Sequence, residues 1–325
     1  MSVEVANQIR YSHTIGRLVQ TGPGFNSPVD VATAPGGRLY TVNRSNLGQA
    51  PRNYLRVTIC TIDEEYIGQF TRFGRGDGEI TWPTSVAVDR DGNVYVSDEE
   101  RHDVQVFDRD GNFLRRWGSL GSGPGQFNHP SGLAADQEGN VLVVDSLNNR
   151  VQKLTPDGRM LLIWGEAGAG PGQFNLPWGI GADRQGRVYV ADWRNGRVQQ
   201  FSPDGSYLTS FGDRDGEGRL DRPAGVGVDS VGNVYVSDYG QDTVQVYEPD
   251  GRLLTTLHGD ATISKWGAQY VAADPEMTAL RAQHAETIAA WERLFTGPIG
   301  IAVDEQDRII IADSGKHRLQ VYQRS

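Results

Sequence analysis

The stretch PSGLAADQEGNVLVVDSLNNRVQKLTPDGRMLLIWG, residues 130–165, returns as PWGIGADRQGRVYVADWRNGRVQQFSPDGSYLTSFG, residues 177–212, with apolar and turn residues in the same columns. The same frame begins again at four further prolines, Pro28, Pro83, Pro223 and Pro298, the first of them in a degenerate copy. Six copies of one frame are typical of repeat architectures such as solenoids and propellers.

Each copy contains four short runs rich in Val, Ile, Tyr and Phe, separated by D-x-x-G, D-x-x-x-x-R and P-D-G turn signals. Runs of this kind predict β-strands. Four strands per copy indicate a propeller blade, because leucine-rich repeats carry one strand each and helical repeats need a 3.6-residue period. The sequence therefore predicts an all-β, six-bladed β-propeller of four-stranded blades, formed as one domain by residues 1–325.

The two ends of the chain predict how the ring of blades closes. The last copy stops at RLQVYQRS, residues 318–325, which is its third strand. Near the N-terminus, YSHTIGRLVQTGPGFNSP, residues 11–28, aligns without a gap to FLRRWGSLGSGPGQFNHP, residues 113–130, a fourth strand with its exit loop. Because a circular array must hide the edges of its first and last sheets, we expect the N-terminal strand to complete the sixth blade.

Two stretches depart from the repeat, and both map to the face that carries the loops between strands two and three and between successive blades, here called the top face. One is the expanded loop of residues 43–56, and the other is residues 260–297 between blades five and six. In the second, Asp274 is a plausible N-cap and Pro275 the first helical residue. This stretch predicts a helical insertion, either a lid over the channel mouth or an interface element.

The insertion is expected to present one apolar helical face. The residues that form it recur at steps of three and four: Met277, Leu280, His284, Ile288, Trp291 and Phe295. A shorter helix is predicted before it from Ile263, Trp266 and Tyr270.

Composition limits the function classes. Lysine plus arginine at 31 against aspartate plus glutamate at 41 give a net charge of -10, which opposes binding to nucleic acid and to anionic membranes. A single cysteine, Cys60, excludes an internal disulfide and a cysteine-built zinc site, and its apolar context predicts a buried, inert thiol. The N-terminal sequence lacks the apolar segment of a signal peptide, so the expected compartment is the cytoplasm.

The recurring columns, P-x-G-[IVL]-x-x-D-x-x-G-x-[VI]-Y-V-x-D-x-x-N-x-R-[VI]-Q-x-[FY], resemble the NHL repeat over nearly the whole chain. The clearest copies are the third and fourth, with Asp145, Asn148, Arg150 and Gln152 in one and Asp192, Asn195, Arg197 and Gln199 in the other. The second and fifth copies depart from the pattern, with Asp103 and Thr243 in place of the arginine. The resemblance implies a six-bladed propeller, in agreement with the strand count.

The functions that the resemblance implies are diverse. Similar propellers include RNA-binding and protein-binding domains of tripartite-motif proteins, sensor domains of bacterial kinases, and the metal-dependent peptidylglycine amidating lyase, which has histidine ligands at its channel. Such a fold does not define a function. Here His129 is expected at the channel mouth and His102 and His317 farther out, without HxH or HExxH spacing. The cofactor is therefore unknown, and a divalent metal stays open.

The carboxylates that recur in the repeat are expected to be structural. Those that close strand two can accept backbone N–H groups of the following turn: Asp98, Asp145, Asp192, Asp238 and Asp313. Those that close strand one belong to the opposite face: Asp89, Asp136, Asp183, Asp229 and Asp304.

The residues expected to ring the channel mouth differ from blade to blade, as an asymmetric ligand site requires. Directly before the strand-one prolines these are Ser27, Trp82, His129, Leu176, Arg222 and Gly297. The candidate ligand-binding residues are Asp30, Arg44, Trp82, Trp178, Trp193, Arg222 and Tyr239. Aromatic rings would stack on a ligand, an arginine would clamp an anion, and His129 would be the catalytic proton donor or acceptor.

Two functions of different classes follow. The first is a propeller that binds a small molecule in a top-face pocket covered by residues 260–297, with a lyase or hydrolase as its enzymatic version. The second is a protein-interaction scaffold that uses the same face and the insertion. RNA binding ranks third because the net charge opposes it, and it would need arginine and lysine clustered on the top face.

Overall fold

A computed structural model describes residues 9–44, 54–213 and 216–324 and contains six four-stranded antiparallel sheets. The innermost strands of successive sheets contact one another in turn, and that of the sixth sheet contacts that of the first. The predicted six-bladed propeller is thereby confirmed. Of the expanded loop predicted at residues 43–56, residues 45–53 lie outside the described residues.

The N-terminal strand belongs to the sixth blade, and blades one to three follow it in the chain. Their bounds are β1 (Ile9–Ile15), then β2 (Pro28–Ala34), β3 (Arg38–Asn43), β4 (Arg56–Thr61) and β5 (Tyr66–Phe70), then β6 (Pro83–Val88), β7 (Val94–Asp98), β8 (Asp103–Phe107) and β9 (Phe113–Trp117), then β10 (Pro130–Ala135), β11 (Val141–Asp145), β12 (Arg150–Leu154) and β13 (Met160–Trp164).

A short parallel pair separates blade three from blade four. The remaining strands are β14 (Glu166–Ala167) and β15 (Gln173–Phe174), then β16 (Pro177–Ala182), β17 (Val188–Asp192), β18 (Arg197–Phe201) and β19 (Tyr207–Phe211), then β20 (Pro223–Val228), β21 (Val234–Asp238), β22 (Thr243–Tyr247) and β23 (Leu253–Leu257), then β24 (Pro298–Val303), β25 (Arg308–Asp313) and β26 (Arg318–Arg324). Single 3-10 turns follow β11, β17 and β25.

The ring closes as the sequence predicts. β1 pairs antiparallel with β26, with Ile9 opposite Arg324 and Ile15 opposite Leu319. The sixth sheet therefore has the strand order β1-β26-β25-β24, and its outermost strand comes from the other end of the chain.

Burial along the strands reflects their place in a blade. All five residues of β17 are buried, because both faces of this second strand are covered by neighbouring blades. The outermost strand β9 alternates between half-buried and exposed residues, as a strand with one solvated face should. The apolar runs of Val and Ile therefore mark the inner strands, and alternation marks the rim.

Hydrophobic cores lie in the seams between blades. In the seam between blades four and five, Tyr189 and Phe211 pack with Val226 and Val234. Five equivalent clusters fill the other seams. Each fully buried side chain of this size contributes about 1.5–3 kcal/mol, so each blade is stabilised mainly by its two neighbours.

The innermost strands approach one another closely at the third residue of strand one in each blade. Four blades have glycine there, and at Gly179 an added Cβ would collide with the carbonyl oxygen of Ala224. The first two blades carry Asp30 and Ser85 at this position, and Ser85 Oγ donates a 2.5 Å hydrogen bond to Asp30 Oδ2. Blades one and two therefore contact each other here through side chains, whereas the other four blades have glycine at this position.

The insertion begins with α1 (Lys265–Ala272), whose N-cap Ser264 accepts a hydrogen bond from the Gly267 N–H. Trp266, its one buried helical residue, packs against Phe25 and Tyr66 with ring centroids 6.1 and 6.4 Å apart. The short helix predicted here is confirmed, and it anchors the insertion to the seam between blades six and one.

The long helix expected after α1 is two helices, α2 (Pro275–Gln283) and α3 (Ala285–Arg293). The predicted N-cap is confirmed, since Asp274 accepts the N–H groups of Glu276 and Met277. The break coincides with a contact between the two helices. Arg281 and Glu292 form a two-pronged ion pair, whereas a straight helix would separate residues 11 apart by about 16 Å along its axis.

The predicted apolar face is therefore not one continuous stripe buried on the propeller. Neither α2 nor α3 has a buried residue, and Phe295 is buried only after the helices have ended. Across the described ranges, helices that combine the length and apolar character needed to traverse a bilayer are absent.

Candidate functional site

The carboxylates that close strand two form a structural set, here called the carboxylate ring: Asp98, Asp145, Asp192, Asp238 and Asp313. All five side chains are fully buried. Each accepts the backbone N–H of a residue 17 positions earlier, at 2.6 to 3.1 Å. The ring therefore ties each exit loop to the blade that follows it.

Blade four shows the complete bracing pattern. Asp192 Oδ2 accepts hydrogen bonds from Asn195, Arg197 and Gln199. Arg197 also donates to the carbonyl oxygens of Gly170 and Gln173 in the exit loop. The motif residues of blade four thus hold the preceding exit loop and one another.

Blades two and five brace differently, because they lack this arginine. In blade two, Asp103 stands at the arginine position and forms a 3.1 Å ion pair with Arg101. A guanidinium is therefore supplied by the residue two positions earlier in the chain. In blade five, the hydroxyl of Thr243 has no hydrogen-bond partner within the described residues. Burial raises the pKa of Asp238 to about 6.

The carboxylates of the opposite face cap the turn between strands one and two. Asp89 accepts the backbone N–H groups of Asp91 and Asn93 and the hydroxyl of Tyr95. Its equivalents accept from their own turns in the same way. These side chains are committed to the fold.

Three histidines were considered above as possible metal ligands: His102, His129 and His317. Two of them accept hydrogen bonds from backbone N–H groups. His102 Nδ1 accepts the N–H of His129 at 3.2 Å, and His317 Nδ1 accepts the N–H of Ser27 at 2.9 Å. Burial lowers the pKa of both rings, which keeps these nitrogens free to accept. Across residues 9–44, 54–213 and 216–324, His, Cys, Asp and Glu side chains form no cluster of three suited to a metal ion.

The predicted catalytic residue lies on the blade two to blade three side of the top face. The ring of His129 contacts that of His102, with centroids 4.9 Å apart, and its Nδ1 lies 2.9 Å from Asn128 Oδ1. Its backbone is left-handed, with φ of 56°. A catalytic role for His129 stays a prediction.

Three of the four predicted aromatic residues form a continuous run along one side of the mouth. Trp178 packs against Trp193 at 5.8 Å between centroids, and Trp193 packs against Tyr239 at 5.4 Å. The guanidinium of Arg222 lies 5.7 Å from the Tyr239 ring centroid. The structure thus brings four of the predicted binding residues together.

A second group lies at the blades one and two side. The guanidinium of Arg44 lies 4.3 Å from the Trp82 ring centroid and 3.9 Å from a carboxylate oxygen of Glu99. Burial lowers the pKa of Arg44 and raises the pKa of Glu99 to about 7. This arginine is therefore held on an aromatic face with a carboxyl group that titrates near neutrality.

A cleft of about 500 Å³ joins these two groups at the top of the channel, and we call it the mouth cleft. Arg44 lines one side, and Arg222 and Tyr239 line the other. Of the insertion, only Thr296 and Gly297, which follow α3, contribute to its lining. The cleft is thus walled by blades five, six and one.

Below the mouth cleft the channel narrows to a cavity of about 60 Å³. Asp30 lines it and accepts hydrogen bonds from Ser85 and from the N–H groups of Val31 and Val86. Burial raises the pKa of the Asp30 carboxyl group to about 6. The narrow part has room for a few water molecules and is too small for a typical ligand.

Sequence reasoning missed members of the mouth that the repeat alignment contains. The position after the last residue of strand two reaches the top face. Across the six blades it holds Arg44, which follows Asn43, and then Glu99, Ser146, Trp193, Tyr239 and Ser314, which follow the ring carboxylates. Arg44, Trp193 and Tyr239 were predicted, whereas Glu99, Ser146 and Ser314 were not. Comparing this single column between blades would have identified all three.

Cys60 is buried in β4, and burial raises the pKa of its thiol to about 12. The predicted burial of Cys60 is confirmed, and the residue lies outside the mouth cleft.

Comparison with known proteins supports the repeat assignment. The NHL repeat model matches residues 81–107, 127–154, 174–201 and 295–322, which lie in blades two, three, four and six. Protein lin-41 of Caenorhabditis elegans is 45% identical over 47 residues, which are 14% of this chain and 4% of that protein. The match thus spans a small part of that relative's length.

Solved structures match over almost the whole chain. A protein of unknown function from Bacteroides thetaiotaomicron matches 98% of this chain and 76% of its own, at 18% identity and a TM-score of 0.65. Virginiamycin B lyase from Staphylococcus aureus matches 97% of this chain and 89% of its own, at 12% identity and a TM-score of 0.57. At these identities the likeness shows the fold alone. The chain is a six-bladed β-propeller, and four of its blades, two, three, four and six, contain an NHL repeat.

Proposed function

We propose that this propeller binds a small anionic molecule with a flat apolar body in the mouth cleft. The observation that carries the proposal is the pair of arginines on opposite sides of one cleft, Arg44 and Arg222, each lying over an aromatic ring. The cleft volume of about 500 Å³ falls within the range of small-molecule sites.

The two arginines account for the anionic part of the ligand. Guanidinium groups bind carboxylate and phosphate oxygens through two parallel hydrogen bonds. The ion pair that Arg222 forms within the described residues is with the exposed Asp221, at 3.5 Å, and Arg44 pairs with Glu99 at 3.9 Å. Both contacts are longer than a good charge-assisted hydrogen bond, so a bound anion would improve the contacts of each arginine.

The aromatic run accounts for the apolar part. Tyr239 is exposed and lines the cleft, and Trp193 and Trp178 continue the surface toward blade four. A planar ligand could stack on this run while its anionic end meets Arg222. A propeller of this fold holds quinupristin in the Staphylococcus aureus structure, which is compatible with a small-molecule site.

The proposal is for binding, and it assigns no reaction. His129 is not among the residues that line the cleft, so we assign it no step. A lid role for residues 260–297 is likewise not part of the proposal, because the described residues of α1 to α3 do not line the cleft.

Thermal-shift and calorimetric binding of matched probes tests the proposal. We expect phenyl phosphate and 3-phenylpropionate to bind, and 3-phenylpropanamide, which lacks the charge, to bind at least tenfold more weakly. Arg222→Gln and Arg44→Gln should each weaken the anionic probes about 10-fold to 100-fold, because a hydrogen bond to a charged group is worth about 1.5–3 kcal/mol.

Arg194→Gln is the matched control. Arg194 is also exposed on the top face, in the 3-10 turn after β17, but it does not line the cleft. It should leave binding unchanged. Equal binding of the charged and neutral probes, or equal losses in all three variants, would refute the proposal.

A further inference from the structure

A second surface lies between the insertion and the propeller, and it adjoins the mouth cleft at Gly315. It is a groove of about 610 Å³, here called the insertion groove. Arg17 and Leu18 of the exit loop after β1 and Lys316 of the turn after β25 form its propeller side. Tyr270 of α1 and Trp291 of α3 form its helical side.

The apolar residues of this groove are unusually exposed for a folded chain. Trp291 is 67% exposed, Leu18 56%, Tyr270 51% and Ile263 37%. Single exposed apolar residues are ordinary, but several that line one groove mark an interaction surface. Tryptophan and tyrosine are also the residues most enriched among strong binding contacts.

The groove is basic although the protein is acidic. Four cations line it, Arg17, Arg281, Lys316 and Arg318, against one carboxylate, Glu292, in a chain of net charge -10. Glu292 pairs with Arg281, and Arg318 pairs with the buried Asp313 at 2.7 Å. Two cations remain without a carboxylate partner among the described residues.

These two cations are held on the aromatic walls. The guanidinium of Arg17 lies 4.3 Å from the Tyr270 ring centroid, and Lys316 Nζ lies 3.0 Å from the Trp291 ring centroid. Lys316 also donates a 3.1 Å hydrogen bond to the carbonyl oxygen of Trp291. Burial, aided by Arg318, lowers the pKa of Lys316, as expected for a cation that lacks an adjacent counter-charge.

The groove is anchored at both ends. At one end Trp266 is buried against Phe25 and Tyr66. At the other, Arg318 donates to the carbonyl oxygens of Glu292 and Leu294. The exposed rings are therefore presented by fixed helices, and a partner need not order them on binding.

We infer that the insertion groove docks an acidic amphipathic peptide segment of a protein partner, with apolar side chains on Trp291, Tyr270 and Leu18 and carboxylates on Arg17 and Lys316. Charge complementarity selects this occupant. A basic or neutral segment would leave both cations unpaired, and the negative field of the rest of the molecule would repel an acidic segment elsewhere.

Selection from a random dodecapeptide display library on the full chain tests the inference, with the Arg17→Gln, Lys316→Gln double variant as counter-target. Clones that bind the wild type and not the double variant should be enriched in Asp and Glu together with Trp, Phe or Leu. A library that yields no such discriminating clone, or that yields neutral or basic ones, would overturn the inference.

The leading peptide, made synthetically, then locates the site. Trp291→Ala and Arg17→Gln should each weaken it at least tenfold, and higher salt should weaken it further. Arg222→Gln, in the mouth cleft, should not change its affinity, so this test is independent of the proposed small-molecule function. Concentration-dependent dimerisation that Trp291→Ala abolishes would show a second copy of the chain in the groove and would also overturn the inference.

Discussion

The carboxylate ring and the mouth of the channel are built from adjacent positions of one repeat, yet they follow opposite rules. Five blades end strand two with aspartate, and each aspartate accepts a backbone N–H 17 residues earlier. The very next position changes from Glu99 to Trp193 and Tyr239, and in blade one, where Asn43 replaces the aspartate, it is Arg44. A uniform position performs the same structural task in every blade, whereas a small ligand has no six-fold symmetry and needs different residues around it.

The largest expected effect tests whether the ring is structural. Asp192→Ala leaves the guanidinium of Arg197 buried without its carboxylate, and removal of one partner of a buried ion pair costs about 3–5 kcal/mol. We expect a loss of this size in the free energy of unfolding, measured by urea titration.

The control for that measurement is Asp91→Ala, an exposed aspartate in the turn after β6. It should change the unfolding free energy by less than about 0.5 kcal/mol. A comparable loss in both variants would show that Asp192 has no special structural role.

The next largest effect concerns the inner strands that hold the mouth together. Gly179→Ala would drive a methyl group into the carbonyl oxygen of Ala224, and overpacking of this kind costs about 1–3 kcal/mol. In β5, Gly68→Ala meets no atom within 4 Å and should be nearly neutral. Thermal unfolding of the two variants compares them directly, and equal melting temperatures would contradict the close approach.

A smaller effect would make blade five resemble blade four. Thr243→Arg places a guanidinium beside the buried Asp238, where the hydroxyl of Thr243 has no partner. A new hydrogen bond to a charged group, less the entropy of ordering the side chain, should raise the unfolding free energy by about 1 kcal/mol. Thr243→Ala, which only removes the unpartnered hydroxyl, should change little, and destabilisation by the arginine would show that blade five has no place for it.

The smallest effect is a change in pH dependence. The pKa of Asp238 is about 6 in the folded protein and about 3.9 when unfolded. Between these values the folded state binds more protons, so this group makes the unfolding free energy fall as the pH rises from about 4 to 6. Asp30 acts in the same direction. The test therefore compares the pH dependence of the unfolding free energy of wild type with that of Thr243→Arg, in which the fall between about pH 4 and pH 6 should be shallower. Parallel curves would contradict it.

The fold could be predicted from the sequence because the same pattern of strands and turns occurs six times. Six proline-led frames fixed the blade count, and the alignment of residues 11–28 with residues 113–130 showed how the ring closes. The N-cap at Asp274 was also predictable, since capping depends on neighbours in the sequence.

What could not be predicted depends on contacts between distant residues. The break between α2 and α3 carries no proline or glycine signal, and it coincides with an ion pair between Arg281 and Glu292. The sequence also did not predict that the mouth cleft would be lined by blades five, six and one. Strand spacing placed His129 at the mouth but did not show that its ring meets His102, outside the residues that line the cleft.

Calorimetric titration of 3-phenylpropionate into wild type, Arg222→Gln and Asp192→Ala, with the unfolding free energy of each measured in parallel, separates the roles of the ring and the mouth. We expect Arg222→Gln to bind at least tenfold more weakly at unchanged stability, and folded Asp192→Ala to keep its affinity at reduced stability. Unchanged affinity in Arg222→Gln, or an equal loss of affinity in both variants, would contradict the separation of a structural ring from a binding mouth.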